Sequence, residues 1–259
     1  MSHAVVTIDL GNSSCKLCAW ESASAATVFA RATLANDADL VSALREFLGK
    51  HGDAHVAVCG VGARDIEAQL RESLRALLGA RFLGTPQCGL ENATLAPESV
   101  GADRLFAARG AYEHVRGSAI VVDAGTALTV DALEVRARPR FLGGAIAPGP
   151  QLLAAALAQG TARLPHVDVS SVGHALGRDT REAIAAGVMH GFRGAARELV
   201  RAVASECSLE SAPIVVTGGA RNSLLTPPLF DVEPLADADL VHSGLRHAAL
   251  DLLRSRGDA

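Results

Sequence analysis

The chain has 259 residues, 49% hydrophobic and only 3% aromatic, with a formal net charge of −4, so it can bury one large or two medium cores packed mainly by Ala, Leu and Val. The absence of a long basic run excludes nucleic acid as the main partner, because a phosphate backbone needs clustered Lys and Arg; a small phosphorylated ligand needs only one or two cations. No stretch approaches about 20 apolar residues, which excludes a membrane span, and a strand starting at residue 4 leaves no room for a signal peptide, so the expected compartment is the cytoplasm.

Five cysteines, Cys15, Cys18, Cys59, Cys88 and Cys207, are an odd and scattered set that fits a reducing compartment. Cys15 and Cys18 have the C-x-x-C spacing of a redox or metal pair. On a strand, however, residues three apart point to opposite faces, so these two cannot bridge, and no second C-x-x-C completes a zinc site. The histidines form no ligand constellation either. His51 and His55 flank Gly52, a helix-ending signal.

In chain order, residues 4–10, about 15–20 and about 26–33 read as three strands. Residues 37–50 read as a helix, with Leu40, Val41, Leu44, Phe47 and Leu48 at three- and four-residue spacing and Asp37 and Asp39 in the first turn. A buried strand over 55–61 follows, then a helix over 64–79 with Ile66, Leu70, Leu74, Leu77 and Leu78 on one face. A short strand near Phe82, a polar loop through Pro97 and a helix over 101–115 close the first half.

The stretch AIVVDAGTALTVDAL, residues 119–133, then repeats the N-terminal VVTIDLGNSSCKL. Each copy has an apolar strand, D-x-G, a small hydroxyl or amide residue and a second strand. Asp9 matches Asp123, Gly11 matches Gly125 and Asn12 matches Thr126. One long-period repeat implies two domains, expected at 1–115 and 116–259, and not a solenoid. The second half continues with strand, Gly/Pro turn and helix over FLGGAIAPGPQLLAAAL, a long helix over 179–206, a strand and Gly-Gly turn in APIVVTGGARNSLL, and a last helix over 238–254. This order implies an α/β fold.

The D-x-G turns suggest chemistry. Gly11 and Gly125 allow backbone angles closed to other residues and remove the side chain that would hold an anion away. Successive N–H groups in such a turn form an anion nest, and Asn12, Ser13, Ser14 and Thr126 add donors. Lys16 adds a cation. Asp9 repels phosphate directly and makes sense if a divalent cation lies between them. Three further stretches stay open between function and plain structure. TGGA (217–220) and GGAIAPG (143–149) are ligand loops or tight bends. Asp103 beside Arg104 is a general base with an anion-binding partner, or a first-turn acid favoured by the helix dipole. Asp179 or Thr180 before Glu182 is an N-cap pattern.

Together, DLGNSSCK (9–16), GADR (101–104), DAGTALTVD (123–131), GGAIAPG, GRDTREAIAAG (177–187) and TGG (217–219) resemble type III pantothenate kinases of the actin and sugar-kinase superfamily, in the family's order and over most of the chain. The resemblance implies two ribonuclease-H-like domains with a nucleotide cleft between them, a homodimer, and transfer of the ATP γ-phosphoryl group to the 4′-hydroxyl of pantothenate, the first step of coenzyme A synthesis. It implies that Asp9, Leu10, Gly11, Asn12, Ser13, Ser14, Cys15 and Lys16 form the first phosphate loop, with Asp9 nearest a Mg2+ ion and Thr126 a further phosphate contact. Asp103 is then the base. Gly101, Ala102, Asp103 and Arg104 form the pantothenate loop, Arg104 reaching the carboxylate, and Thr180 also touches pantothenate. Asp123 resembles the ligand of a monovalent cation, K+ or NH4+. One position departs from the pattern: members often carry a tyrosine seven residues before the loop glycine, where this chain has Thr94. The rival readings are another small-molecule kinase or a polyphosphate phosphatase of the superfamily, and a regulatory protein that keeps the nucleotide site without catalysis.

Overall fold

A computed structural model describes residues 4–11, 14–20, 28–35, 40–60, 64–171 and 173–257. Asn12, Ser13, Asp37 and Asp39, singled out above, lie outside the described residues. The chain forms two compact units: Met1–Glu91, Leu95–His114 and Asp239–Ala259 make the first, Asn92–Thr94 and Val115–Ala238 the second.

The first unit holds a five-stranded sheet in the order β3-β2-β1-β4-β5, from β1 (Val5–Leu10), β2 (Ser14–Trp20), β3 (Val28–Ala35), β4 (His55–Gly60) and β5 (Phe82–Gly84). The first three strands form an antiparallel meander; β4 runs parallel to β1 and β5 parallel to β4. The apolar runs of β1 and β4 are buried on both faces, as expected of parallel strands covered twice. One face carries Val6, Ile8, Leu10, Cys15, Leu17, Val56 and Val58. These pack against Leu40, Leu44 and Leu48 of α1 (Leu40–Gly49) and Leu70, Leu74 and Leu78 of α2 (Arg64–Leu78). The strict four-residue spacing in each helix builds that contact. Leu77, read from the sequence as part of it, is 45% exposed on the flank.

The opposite face is covered by the end of the chain. The helix Leu240–Arg256 packs on β1 and β4 and buries Leu245, Ala248, Ala249 and Leu253. Compactness therefore does not follow the two sequence halves: an apolar strand face in the first unit recruits the last helix. The helix Ala102–Val115, here α3, belongs to the same unit.

The second unit repeats the strand plan. Its sheet runs β11-β10-β7-β8-β9-β6, from β6 (Glu91–Asn92), β7 (Ala119–Ala124), β8 (Ala127–Val135), β9 (Pro139–Pro148), β10 (Ile214–Thr217) and β11 (Leu235–Ala236). Again three strands form an antiparallel meander and two further strands add in parallel; β6 joins at the β9 edge. Thus β1 corresponds to β7, β2 to β8 and β4 to β10, which gives the sequence repeat a structural basis. Helix α4 (Pro150–Gly160) and the long α5 (Thr180–Glu206) follow. Phe192, Ala196, Val200 and Ala204 of α5 cover the sheet, while its Ile184, Val188 and Met189 close a smaller core with Ala154, Val167 and Val169. The short α6 (Asn222–Leu225) follows β10; the closing helix is α7.

Candidate active site

In the first unit, the chemistry gathers at the carboxyl ends of β1 and β4, where open α/β sheets place ligands. Asp9 is paired in register with Lys16 on β2 and with Cys59 on β4. Directly opposed residues share a face, so carboxylate and ammonium lie side by side. Asp9 is half-buried, and burial pushes its carboxyl up to about 6; Lys16 pulls it down, and nearby Asp103 adds to the rise. The Gly11 N–H donates to the Ser14 carbonyl at 3.0 Å, closing the hairpin. That amide is engaged within the turn, so it is not one of the outward N–H groups of an anion nest.

Asp103 stands in the first turn of α3. The Arg104 and Leu105 N–H groups bond the Gly101 carbonyl, at 3.2 and 3.4 Å, and start the helix. The Arg104 N–H also donates to the Asp103 carboxylate at 2.9 Å. Burial raises the Asp103 pKa, against the lowering effect of that bond and of the Arg104 charge. Gly101, Ala102 and Arg104 flank it on the same turn, all half-buried. The unit thus brings Asp9, Lys16 and the GADR turn into one electrostatic neighbourhood. Sequence reasoning missed Cys59, whose thiol is held well above its usual range by burial and by Asp9 and Asp103. Its only signal was the end of an apolar strand.

Leu10 and Cys15 are fully buried in the core. Their side chains hold the loop from behind, leaving only their backbone to face a ligand. Cys15 and Cys18 point to opposite faces of β2, as alternation requires: Cys15 is in the helix-covered core, whereas the Cys18 thiol reaches Asp239 at 3.6 Å. Both are free.

In the second unit, the Gly125 N–H donates to the Ala127 carbonyl at 2.9 Å, closing a turn one residue shorter than that at Gly11. Asp123 opposes Thr129. Two glycine loops press against this corner. Gly149 donates to the Thr126 carbonyl at 3.0 Å and is the N-cap of α4, with Pro150 at its first position; a methyl on Gly149 would overlap the Gly125 and Thr126 carbonyls. Gly218, at φ +92°, lies so close that a Cβ would collide with the Asp123 carboxylate and come within 2.5 Å of the Ala124 carbonyl carbon. Ala220 N–H then donates to the Ala124 carbonyl at 2.8 Å. The two glycine stretches that the sequence left open therefore wrap the second D-x-G corner.

Thr180 is the exposed first residue of α5. Asp179 is the N-cap, accepting from the Glu182 N–H at 2.8 Å, while the Glu182 carboxylate accepts from the Arg178 N–H at 2.8 Å. The first bond is an ordinary N-cap bond; the second reaches one residue further back than a capping box does, to the residue before the N-cap. Beside it lies a groove of about 660 Å3 lined by Asp168, Ser170, His174, Arg178 and Glu182 among others; none of the residues expected to bind ATP or pantothenate is among its lining. Thr94 forms an Asx turn, its N–H and hydroxyl both donating to Asn92 Oδ1, at 3.2 and 2.8 Å. Among the described residues no group of three or more His, Cys, Asp or Glu side chains is arranged to hold a metal ion, and no helix is long and apolar enough to cross a membrane.

The family model for type III pantothenate kinase matches residues 5–202. A type III pantothenate kinase of Thermus thermophilus is 39% identical over 191 residues, covering 72% of this chain and 73% of the relative. That of Idiomarina loihiensis is 38% identical over 202 residues, covering 75% of each. Among solved structures, one described as a Baf family transcriptional activator from Campylobacter jejuni superposes with TM-score 0.62 at 19% identity, covering 98% of this chain and 100% of that one. The activator of 2-hydroxyisocaproyl-CoA dehydratase from Clostridium difficile, solved with bound ADPNP, gives 0.54 at 15%, covering 100% and 98%. At such identities the structural likeness speaks for the fold alone, that of the actin-like ATPases and sugar kinases. On the family model and the sequence relatives together, the chain belongs to the type III pantothenate kinase family.

Proposed function

We propose that Asp103 is the general base of this pantothenate kinase and that Asp9 and Lys16 handle the charge of ATP. As a member of its family the chain transfers the γ-phosphoryl group of ATP to the hydroxyl of pantothenate. Such transfer asks mainly for positioning and charge neutralisation, and a base needs only hydrogen-bond reach of the hydroxyl. The observation that carries the reading is the Asp9–Asp103 neighbourhood, with two carboxylates raised by burial beside one lysine at the carboxyl ends of two parallel strands.

Mg2+ suits this donor set. A half-buried carboxylate whose neighbour is another carboxylate gains from a hard cation, and Asp9 is the residue that would hold it. When bound, the ion neutralises phosphate charge. Lys16 and the hydroxyls of Ser14 and Thr126 donate to phosphate oxygens; Leu10, Gly11 and Cys15 shape the loop, and Asn12 and Ser13 complete it. Asp103 accepts the proton of the pantothenate hydroxyl, while Gly101, Ala102 and Arg104 bind pantothenate, Arg104 pairing its carboxylate. Thr180 adds a polar contact to pantothenate. Asp123 and the Ala124 carbonyl, which both face Gly218, offer the oxygen donors that a monovalent cation, K+ or NH4+, prefers. A homodimer working in the cytoplasm completes the proposal.

The test is Asp103→Ala. Calorimetric titration with Mg·ATP is expected to give wild-type affinity, while kcat falls by about 10²–10⁴. A kcat near the wild-type value would remove Asp103 from the role of base.

A further inference from the structure

Two glycines lie in the middle of helices that have no need of them for turning. Gly110 is in α3 and Gly244 in α7, each weakening its helix relative to alanine. Their surroundings explain the choice. A Cβ on Gly244 would overlap the Phe106 carbonyl oxygen and come within 2.9 Å of the Phe106 carbonyl carbon and 2.8 Å of Gly110 N. A Cβ on Gly110 would overlap the Leu240 carbonyl oxygen and come within 3.0 Å of the Leu240 side chain. The contact is reciprocal: each glycine receives the carbonyl of the residue four positions before the other glycine. The two helices therefore meet backbone to backbone.

Both ends of this contact lead to the site. Phe106 is one helical turn from Asp103. On the other side, His242 of α7 lies 3.0 Å from the Thr7 hydroxyl, which also accepts from the Trp20 indole N–H at 3.0 Å. Thr7 is two residues before Asp9 and on the same face of β1. Farther along, Arg109 of α3 pairs with Asp251 of α7 at 2.7 Å, so the helices are tied beyond the glycines as well. The path runs from Asp9 along β1 to Thr7, through His242 and α7 to the glycine seat, and up α3 to Asp103.

We propose that Gly110 and Gly244 are positioning residues for phosphoryl transfer: their backbone contact sets the height of α3 on α7 and hence the distance between the Asp103 and Asp9 carboxylates. The proposal rests on Asp103 being the base. A methyl at either position forces the helices apart by roughly 1 Å, a displacement that can cost about 10²-fold in rate when it misplaces a reacting group.

The experiment compares Gly244→Ala with Leu48→Ala. Leu48 is buried in the core on the face of the sheet opposite α7, against the other side of β1. Both variants are assayed well below their melting temperatures. Gly244→Ala is expected to lose at least about 10-fold in kcat with KM for Mg·ATP within about threefold of wild type, whereas Leu48→Ala loses a comparable number of degrees in Tm and keeps kcat within about twofold. Equal kcat values for the two variants would overturn the proposal. Should Gly244→Ala give no folded protein, Leu240→Ala, which loosens the same seat without inserting an atom, takes its place with the same expected split and the same refuting result. Asp103→Ala runs alongside: wild-type kcat there overturns the base assignment itself, whereas an inactive Asp103→Ala with a fully active Gly244→Ala overturns only the positioning.

Discussion

Replacing Asp9 by asparagine removes a charge that the fold holds at a cost. Burial lifts the Asp9 pKa from an ordinary 3.8 to about 6. The difference, 6 − 3.8, is about 2.2 units, an upper bound of about 3 kcal/mol against the ionised form at neutral pH; screening at this half-buried position reduces it to about 1–2 kcal/mol. The sign follows from the raised value. The unfolded chain ionises first, so the native state loses stability as pH rises from 3.8 to about 6 and stays at the lower level above it. Asp9→Asn keeps shape and drops the charge. In melts without nucleotide at pH 7 to 8 the variant is expected to exceed wild type by several degrees, and the gap should narrow as pH falls from about 6 toward 4. Mg·ATP should then stabilise wild type more than the variant, since only wild type presents the carboxylate, and turnover should fall by about 10² or more. A variant that melts at or below wild type at pH 8 without nucleotide would refute the argument that Asp9 is a strained charge awaiting a cation.

Two further outcomes follow from buried groups. His242 is 3% exposed, and burial is the main cause holding its pKa down at about 4, from 6.5; between those values the unfolded chain binds the extra proton, so denaturant midpoints should fall as pH drops from 6.5 to about 4, by up to about 1.4 kcal/mol per unit from this group, and His242→Gln should flatten the slope. An unchanged slope in that variant would show that His242 does not govern it. Gly218→Ala meets both a positive φ of 92° and the Asp123–Ala124 backbone, so thermal unfolding should move down by the equivalent of about 2 kcal/mol or more; an unshifted Tm would mean that the second corner is not packed this way.

What the sequence disclosed depended on range. The repeat was legible because a D-x-G turn between apolar strands is a local pattern, and it surfaced as the same strand order in both sheets. The faces of Cys15 and Cys18 followed from strand alternation alone. The cap at Asp179 was equally local. By contrast, α7 belongs with the first unit because of an apolar face on β1, more than 200 residues away in sequence, and no periodicity announces which sheet a helix covers. Leu77 shows the same limit at smaller scale: its spacing fits the buried stripe, yet the flank of α2 faces solvent. The engagement of the Gly11 and Gly125 amides inside their own turns depends on which carbonyl each meets. Gly110 and Gly244 carried a faint signal, glycine inside a helical run, but their meaning lies in each other's backbone.

The central claim is that this chain moves a phosphoryl group from ATP to pantothenate with Asp103 as base. Coupled ADP release, measured with Mg·ATP at fixed concentration and pantothenate varied, in K+ or NH4+ and again in Na+, tests it most directly. ADP should appear only with pantothenate, saturate with its concentration, run faster in K+ or NH4+, and fall by about 10²–10⁴ in Asp103→Ala. ADP release that ignores pantothenate, or that persists unchanged in Asp103→Ala, would contradict the account.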